Sequence, residues 1–422
     1  MRVKGSASVG VQRQKLRVAI LTTAFPRWPN DSRGPSMLET ARALRDRDIA
    51  VRVVTLHGPG TRTHEDVEAI PVHRVRYFWP ERFEQLQDMG GGLPAAWRSG
   101  LWARLRFLPL VGAMFLAAVI HGREVDVIHA HWTLAGLAAW LASFITGTPF
   151  VLTLHGSDVY IAPGILGVRS LTRAVLRGSA HVIAVSRDLA EAAAGLGVRS
   201  GSIEVIPDGI DLDRFAPGAP QREPLLLFVG SLIERKGAHH LLQALPAILG
   251  RHPNTRLAVV GEGPERSRLE ALANDLGLSD FVDFIGPQSQ AQIAQWMKRA
   301  KLFVLPSQEE ALGIVLLEAL ASGTPCVASR VGGIPDIVSQ NVGVLVKPRD
   351  PIDLSREIIN LLDDPDAWAV LQRQTRQHVE QNCWTWKKVA ARLQEVFEDA
   401  LARRTGRRPP AGVSGRAENS RH

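Results

Sequence analysis

Apolar runs and stretches of helical periodicity alternate along the chain in a regular order. Continuous apolar runs of about four to eight residues are typical of strands buried on both faces of a parallel sheet. The pattern predicts such strands in the first half within LRVAILTT, AVRVVTL, VDVIHAH, PFVLTLHG, AHVIAVS and IEVIP, and in the second half within PLLLFVG, TRLAVVG, VDFIG, LFVLPS, TPCVAS and GVLV. Helices join parallel strands by right-handed crossovers, so each half is predicted to form an α/β, doubly wound parallel sheet.

A segment rich in proline, glycine and charge, residues 208–224, separates the two sets of strands and predicts a linker. A chain of 422 residues is also too long for one ordinary core. We predict an N-terminal domain over 16–207, a C-terminal domain over 225–384, and a helix over 385–402 that packs back towards the N-terminal domain. Two such domains bind ligands in the cleft between the carboxyl ends of their strands.

Two apolar segments raise the question of a membrane. Residues 132–154 are uncharged and long enough to span a bilayer, but Gly147 and Pro149 divide them into a predicted buried helix and a buried strand. In residues 90–120 the apolar part, Leu108 to Ile120, is too short to span. The segment is therefore either a helix packed on the sheet or an interfacial membrane contact. The second alternative rests on its interleaved aromatic and basic residues, Trp97, Arg98, Trp102, Arg104, Arg106 and Phe107.

The net charge of +8 lies in the two termini. Residues 1–17 and 403–422 contribute +5 each, so the body of the chain carries −2. We predict that residues 1–15 and 403–422 are disordered basic tails, which can bind RNA or anionic lipid weakly but more often only solubilise a protein. The body is not predicted to bind nucleic acid. Two cysteines, no Cys/His cluster and no apolar leader favour a reducing cytoplasm and no metal site.

An acidic residue stands inside a predicted helix that is otherwise apolar. Glu318 has no opposite charge one turn away in the run 313–322, so it either faces solvent or has a polar partner. Glu310 precedes the same helix. The first amides of the helix lack partners within it and form an anion site, at Gly313, Ile314 and Val315. We interpret the two acids as contacts to different parts of one elongated ligand, because carboxylates accept hydrogen bonds from ribose or hexose diols.

A lysine opens another helix of the second half. Lys236 gains nothing from the helix dipole there, which is reasonable if it serves an anionic ligand. The segment lacks the Walker A pattern, and no GxGxxG follows the first strand, which argues against a nicotinamide enzyme. In the first half, His155 ends a strand that faces the same cleft. His129 and His131 project from one face of their strand, but no further ligands support a metal there.

These residues identify a resemblance. The chain resembles, over about residues 16–400, the large family of retaining glycosyltransferases of GT-B fold that carry a Glu-x7-Glu element. The element is Glu310-ALGIVLL-Glu318, and VGSLIERKG, VVGEGPE, FVLPS, VGGIPDIV, VIPDGIDLDRF and TLHGSDV support it. The resemblance implies that Glu318 holds the nucleotide ribose and that Glu310 contacts the donor sugar. It also implies that Lys236 and the amides at 313–315 hold the diphosphate, while His155 lies beside the reacting centre.

Further contacts follow from the same resemblance. The donor side is expected to include Gly230, Ser231, Arg235, Gly261 and Gly263, and the acceptor side Arg33, Gly34, Trp97 and Trp102. Three motifs depart from the family pattern. Ser231 stands where an Arg is common, Arg33-Gly34 replaces paired glycines, and Pro207-Asp208-Gly209 replaces PNG.

The mechanism implied is front-face transfer of a hexosyl group from a UDP- or GDP-sugar with retention and without a metal or other cofactor. The expected acceptor is lipid-linked or a growing glycan, in cell-surface polysaccharide or glycolipid synthesis. The expected place is the cytoplasm, at the inner face of the membrane with a peripheral contact. Two alternatives stay open, a nucleotide-sugar epimerase of similar fold and a non-catalytic nucleotide-sugar binding protein.

Overall fold

The computed structural model describes residues 15–28, 31, 33–86, 93, 96–97, 100–156, 159, 167–219, 221–382 and 384–405, without the side chains of Ser200 and Thr405. Residues 1–14 and 406–422, most of the predicted basic tails, lie outside the described residues, and so do Arg98 and Cys383. The predicted disorder of the tails therefore stays a prediction.

The N-terminal half forms an eight-stranded sheet in the order β3-β4-β2-β1-β5-β6-β7-β8. Its strands are β1 Arg17–Leu21, β2 Ala50–Leu56, β3 His64–Val67, β4 Ile70–Val75, β5 Val127–His131, β6 Phe150–Leu154, β7 His181–Ala184 and β8 Ile203–Val205. All pairs are parallel except β3 with β4. The sequence pattern missed β3 and β4, because HEDV is a charged edge strand without an apolar run.

The C-terminal half forms a six-stranded, fully parallel sheet in the order β11-β10-β9-β12-β13-β14. Its strands are β9 Leu225–Val229, β10 Arg256–Val260, β11 Val282–Gly286, β12 Leu302–Leu305, β13 Cys326–Ser329 and β14 Gly343–Val346. Every strand predicted from the apolar runs is present in one of the two sheets. The predicted fold class, two doubly wound parallel sheets, is thus confirmed.

Helices cover both sheets. They are α1 Pro35–Arg45, α2 Leu101–Gly122, α3 Trp132–Thr146, α4 Val168–Gly178, α5 Arg187–Gly195, α6 Ala238–Arg251, α7 Arg266–Asp275, α8 Gln290–Arg299, α9 Ile314–Ala321, α10 Ile334–Ile337, α11 Pro351–Asp363, α12 Pro365–Gln381 and α13 Trp386–Thr405. A short 3-10 helix, Glu234–Lys236, precedes α6. The uncharged segment 132–154 is a helix followed by a strand, as predicted, because Gly147 ends α3 in the left-handed conformation.

The last helix returns to the N-terminal half. Val389, Leu393 and Phe397 of α13 are buried in one cluster with residues of β1 and β2. Inside this contact His181 Nε2 lies 2.5 Å from an Asp399 carboxylate oxygen, and both side chains are buried. The chain thus passes from one sheet to the other and back.

The carboxyl edges of the two sheets face each other. Ser186 follows β7 and Gly333 follows β13, and a Cβ at position 333 would lie 2.6 Å from Ser186 Cβ. Beside them, Asp336 accepts a hydrogen bond at 2.7 Å from the backbone N–H of Arg187, the first residue of α5. Residues at the carboxyl ends of strands in both halves therefore line the space between the sheets.

One expectation about the apolar segments was wrong. Among the described residues, α2 is long and apolar enough to cross a bilayer by length and composition. The stretch from Leu108 to Ile120 alone is too short to span, but residues 101–107 continue the same helix although they carry two arginines. Its inner side packs on the sheet through the buried Leu110, Met114 and Ala118, so α2 is a helix of this domain rather than a separate span.

Candidate active site

Lys236 and Glu310 meet directly in front of the C-terminal sheet. Lys236 Nζ lies 2.5 Å from Glu310 Oε2, and both side chains are mostly buried. The hydroxyl of Ser307, at the end of β12, donates to the same carboxylate at 3.3 Å. The backbone N–H of Gln308 donates to the carbonyl of Arg235 at 2.7 Å, which ties the Glu310 loop to the Lys236 loop. Two of the predicted catalytic residues therefore form one ion pair.

Glycines permit the close approach of these loops. Gly237 has φ +70°, and a Cβ there would lie 2.0 Å from the carbonyl oxygen of Pro306. Gly332 has φ +49°, and a Cβ there would lie 1.8 Å from the carbonyl oxygen of Glu310. Any larger residue at either position would push the Lys236 or the Glu310 loop away from its neighbour. The loop after β13 thus packs against the backbone of Glu310 and also contacts Ser186 of the N-terminal half.

The predicted donor-side glycines form a second interlocked pair of loops. Gly261 approaches the residue that follows β9 so closely that a Cβ would lie 1.9 Å from the carbonyl oxygen of Gly230. Gly263 approaches Leu232 in the same way, at 2.3 Å. Ser231 lies between these contacts and is exposed. The ends of β9 and β10 are therefore joined next to Lys236.

Helix α9 carries the second acid of the element. It begins at Ile314 after Gly313, which has φ +85° and whose Cβ position lies 3.4 Å from Glu310 Cγ. Glu318 in its centre is only 7% exposed, and this burial raises its pKa to about 7. A hydrogen bond with Gln290, the first residue of α8, and the charge of Arg214 act in the opposite direction. Glu318 therefore has a polar partner, the second of the two predicted alternatives.

His155 lies on the other sheet, directly after β6, within a chain of histidines. His131 Nδ1 lies 2.9 Å from His155 Nε2, and His129 Nε2 lies 2.8 Å from the hydroxyl of Thr153. The indole of Trp132 packs on His155 with ring centroids 4.6 Å apart. Burial lowers the pKa of His155 to about 4 and of His129 to about 3, and it holds the pKa of His131 well below its ordinary value. The three rings are thus neutral at physiological pH.

The contacts of His131 fix the position of the protons. His131 Nε2 is buried and has no hydrogen-bond partner within the described part of the chain. Burial of an unprotonated Nε2 without a partner is less unfavourable than burial of an unpaired Nε2–H. We therefore infer that the proton of His131 sits on Nδ1 and is donated to His155 Nε2. The neutral His155 ring then carries its own proton on Nδ1. Of the HAH motif, considered above as a metal signal, His131 is hydrogen-bonded to His155, whereas His129 is hydrogen-bonded to Thr153.

Two arginines lie near the Lys236 loop. They are relevant because Ser231 occupies the position where the resemblance implies an arginine. Arg235 is exposed in the loop itself. Arg349, after β14, donates through Nε to Gln308 Oε1 at 3.1 Å. Gln308 is the residue whose backbone joins the Glu310 and Lys236 loops, so Arg349 is an additional positive charge beside them. Sequence reasoning missed Arg349 and Gln290 and weighed His131 only as a possible metal ligand, since each becomes part of the site only through tertiary contacts.

The predicted acceptor-side residues lie in two places. Gly34 has φ +60° at the start of α1, and Arg33 Nε donates to Asp31 at 3.1 Å. Trp97 packs edge-on against Phe107, and the guanidinium of Arg104 lies over its ring. Trp102 on α2 is 78% exposed. The first pair follows β1 at the carboxyl edge, whereas the tryptophans belong to the outer face of the N-terminal half.

Asp208, where the resemblance implies Asn, is buried at the crossing between the halves, and its burial raises its pKa to about 7. The next residue, Gly209, packs on the backbone of Trp386. In the described parts of the chain no group of three or more His, Cys, Asp or Glu residues is arranged to hold a metal ion.

Comparisons with known proteins agree with this architecture. The family model "Glycosyl transferases group 1" matches residues 209–382, and the "Glycosyl transferase 4-like domain" matches residues 34–209. A D-inositol 3-phosphate glycosyltransferase of Thermobispora bispora is 31% identical over 416 residues, which cover 90% of this chain and 92% of that protein. One of Streptosporangium roseum is 30% identical, over 95% of this chain and 98% of that protein.

Solved structures share the fold. Sucrose-phosphate synthase from Thermosynechococcus elongatus superposes with a TM-score of 0.76 at 23% identity, over 92% of this chain and 100% of that one. Anabaena Alr3699/HepE in complex with UDP-glucose superposes with a TM-score of 0.69 at 20% identity, over 90% and 99%. The two facing sheets are thus a GT-B fold, and the protein is a glycosyltransferase that uses nucleotide-sugar donors. The chain belongs to the group 1 glycosyltransferases, a retaining family.

Proposed function

We propose that the enzyme transfers a hexosyl group from a UDP- or GDP-sugar and that the Lys236–Glu310 pair is the centre of its donor site. The observation that carries this proposal is the contact of these two side chains beside the start of α9, with Glu318 buried within the same helix. Lys236 and the first amides of α9 hold the diphosphate, and Glu318 holds the ribose diol. A HepE structure contains UDP-glucose, which supports a uridine donor for a protein of this fold.

In the reaction, the bond between the anomeric carbon and the diphosphate oxygen breaks while the acceptor oxygen bonds to that carbon on the same face. Negative charge grows on the leaving diphosphate, and the Lys236 ammonium and the helix amides stabilise it because they are already in place. The acceptor hydroxyl passes its proton to a leaving phosphate oxygen. Glu310 neutralises Lys236 until the donor arrives and afterwards accepts hydrogen bonds from sugar hydroxyls.

On the opposite side, His155 contacts the donor sugar next to the reacting carbon. We assign His131 and Trp132 a positioning role. The hydrogen bond between His131 Nδ1 and His155 Nε2 orients the His155 ring, and Trp132 packs on the face of that ring. The neutral ring with its proton on Nδ1 offers a hydrogen-bond donor without adding a positive charge. Arg349 together with Arg235 takes over the charge that Ser231 lacks.

The proposed acceptor is a lipid-linked or growing glycan at the cytoplasmic face of the membrane, reached through a peripheral contact of residues 97–107. The exposed Trp102 and the arginines of this segment support the proposal. A second candidate acceptor is an inositol phosphate, favoured by the names of the relatives that are about 30% identical. The two differ in solubility, which makes them separable by experiment.

The test is release of nucleoside diphosphate over a panel of UDP- and GDP-hexoses, with membrane lipid extract or with D-inositol 3-phosphate as acceptor. The proposal expects acceptor-dependent release from one donor with the lipid extract, and its loss in Lys236→Ala. Release only with D-inositol 3-phosphate would establish the second candidate. Interconversion of sugars without an acceptor would show an epimerase and overturn both.

A further inference from the structure

The outer side of α2 is apolar along its whole length. Its exposed large apolar residues, with the exposed Pro109 and Gly112 between them, lie on one side of the helix, which is about 33 Å long for 22 residues. They are Leu101, Trp102, Leu105, Leu108, Leu116 and Ile120. A surface helix of a soluble domain normally turns polar residues outward, but among the exposed residues of α2 only Arg104 is charged. The inner side packs on the sheet, and the outer side meets no other part of the described chain.

The neighbouring helix widens this surface. Helix α3 packs along α2 and contains no charged residue. Its outward residues near the carboxyl end are also apolar and exposed, namely Leu141, Phe144 and Ile145, with Phe144 at 72%. We call the exposed apolar residues of both helices the α2–α3 face. A face of this size is larger than the single exposed apolar residues that any soluble protein carries.

Aromatic and basic side chains border the amino end of the face. The guanidinium of Arg106 lies over the rings of Phe78 and Phe83, which places the loop 78–83 beside α2. Trp79 in this loop is 83% exposed, close to the value of Trp102. Tryptophan and arginine together are typical of the membrane interface, where an indole reaches the headgroup level and a guanidinium meets lipid phosphates.

The carboxyl tail leaves the described structure at the other end of the face. The guanidinium of Arg404 lies against Gly147, the residue that ends α3 two positions after Ile145. Beyond Thr405 the sequence carries four more arginines and one acid. Positive charge is therefore tethered at one end of the apolar face and built into the loop and helix at the other.

We propose that the α2–α3 face, together with loop 78–83, docks the enzyme on an anionic bilayer. The helices lie in the interface rather than cross it, because their inner sides are needed for the core of the domain. A second copy of the chain is a poorer occupant, since pairing two such faces would bring arginines of both copies together. The proposal extends the short membrane contact of the proposed function to a much larger surface.

The orientation of α2 places one end of the α2–α3 face on the side of the active site. Helix α2 leads into β5, whose carboxyl end carries His129 and His131. In a parallel sheet the preceding helix runs antiparallel to its strand, so the amino end of α2, with Trp102, lies on the side of the active site. A lipid-linked acceptor can therefore pass from the bilayer to the cleft without leaving the interface.

The experiment is flotation of the full chain with phosphatidylcholine vesicles, with and without phosphatidylglycerol, in the absence of donor and acceptor. The face variant is Leu108→Glu/Leu116→Glu/Phe144→Glu. The matched control places glutamates on exposed apolar residues of the C-terminal domain, Ile352→Glu/Val370→Glu. A third variant ends at Thr405. Circular dichroism checks the fold of each.

The proposal expects the wild type and the control to float with anionic vesicles at low salt. The face variant should bind at least tenfold more weakly. The chain that ends at Thr405 should keep binding through the face, and complete loss of binding in that chain would show that the tail and not the face holds the bilayer. Equal binding of face variant and wild type, or no binding of either, would overturn the proposal. A dimer in light scattering without vesicles that the face variant abolishes would assign the face to a second copy instead. Because no substrate is present, none of these outcomes bears on glycosyl transfer.

Discussion

Burial of the Glu318 carboxylate lowers the stability of the folded protein at neutral pH, although the same carboxylate is proposed to bind the donor. Its pKa rises from 4.5 to about 7 in the folded protein because the carboxylate loses its hydration inside α9. Below pH 4.5 Glu318 is protonated in both the folded and the unfolded chain, so its ionisation does not change the free energy of unfolding. As the pH rises from 4.5 to 7, only the unfolded chain ionises, and the free energy of unfolding falls. Above pH 7 the full penalty of about 3.5 kcal/mol applies, at about 1.4 kcal/mol for each unit of the pKa shift.

Glu318→Gln keeps the shape of the side chain and removes its charge. We expect the variant to melt at a higher temperature than the wild type at pH 8 and at the same temperature near pH 4.5. Donor affinity should change in the opposite sense, because an amide accepts hydrogen bonds from the ribose diol less strongly than a carboxylate. The expected loss is about 1–3 kcal/mol, or about 5- to 150-fold in Kd.

The assay combines thermal melts over pH with calorimetric titration of the donor product UDP or GDP. Near pH 6 the wild type should release up to one proton on binding, since the diol requires the ionised Glu318, and heats in buffers of different ionisation enthalpy measure it. Glu309→Gln, an exposed acid in the same chain region, is the control. The reasoning would be refuted if the wild type released no proton on binding and if Glu318→Gln showed an unchanged Kd and no gain in stability at pH 8.

The remaining predictions concern the reacting side and the metal. His155→Ala should lower kcat more than it raises the donor KM, and a loss of stability with normal kcat would show a structural role only. His131→Leu should lower kcat at unchanged donor KM and His131→Asn should recover part of it, because the Asn amide can replace the Nδ1–H donor; equal loss in both variants would contradict the hydrogen bond. EDTA should leave activity intact, whereas full loss restored by a divalent ion would overturn the metal-free mechanism.

Sequence predicted the sheets because their strands are buried on both faces and therefore apolar throughout. It missed β3 and β4, whose edge position allows charged residues such as Glu65 and Asp66. It also misjudged α2, because Arg104 and Arg106 interrupt the apolar run but not the helix. The local sequence thus indicates strands buried on both faces, whereas it does not indicate edge strands or the charged ends of helices.

The site was predictable where one short segment carries the chemistry. Glu310, Glu318 and the start of α9 lie within fewer than a dozen consecutive residues, so a resemblance could assign expected roles to them. The support of His155 is different, because it depends on β5 pairing with β6 in the register that sets His131 opposite Thr153. The Arg349 contact depends similarly on the loop after β14 reaching Gln308. Residues far apart in sequence become neighbours only through the order of the strands.

The most direct test of the account is the anomeric configuration of the first product, followed by proton NMR with the donor found in the panel. Transfer at the Lys236–Glu310 centre predicts that an α-configured nucleotide sugar gives an α-linked product before any equilibration. It also predicts that Glu310→Gln and Lys236→Ala slow formation of that product while the protein stays folded. A β-linked first product, or turnover that persists in both variants, would contradict the proposed donor site.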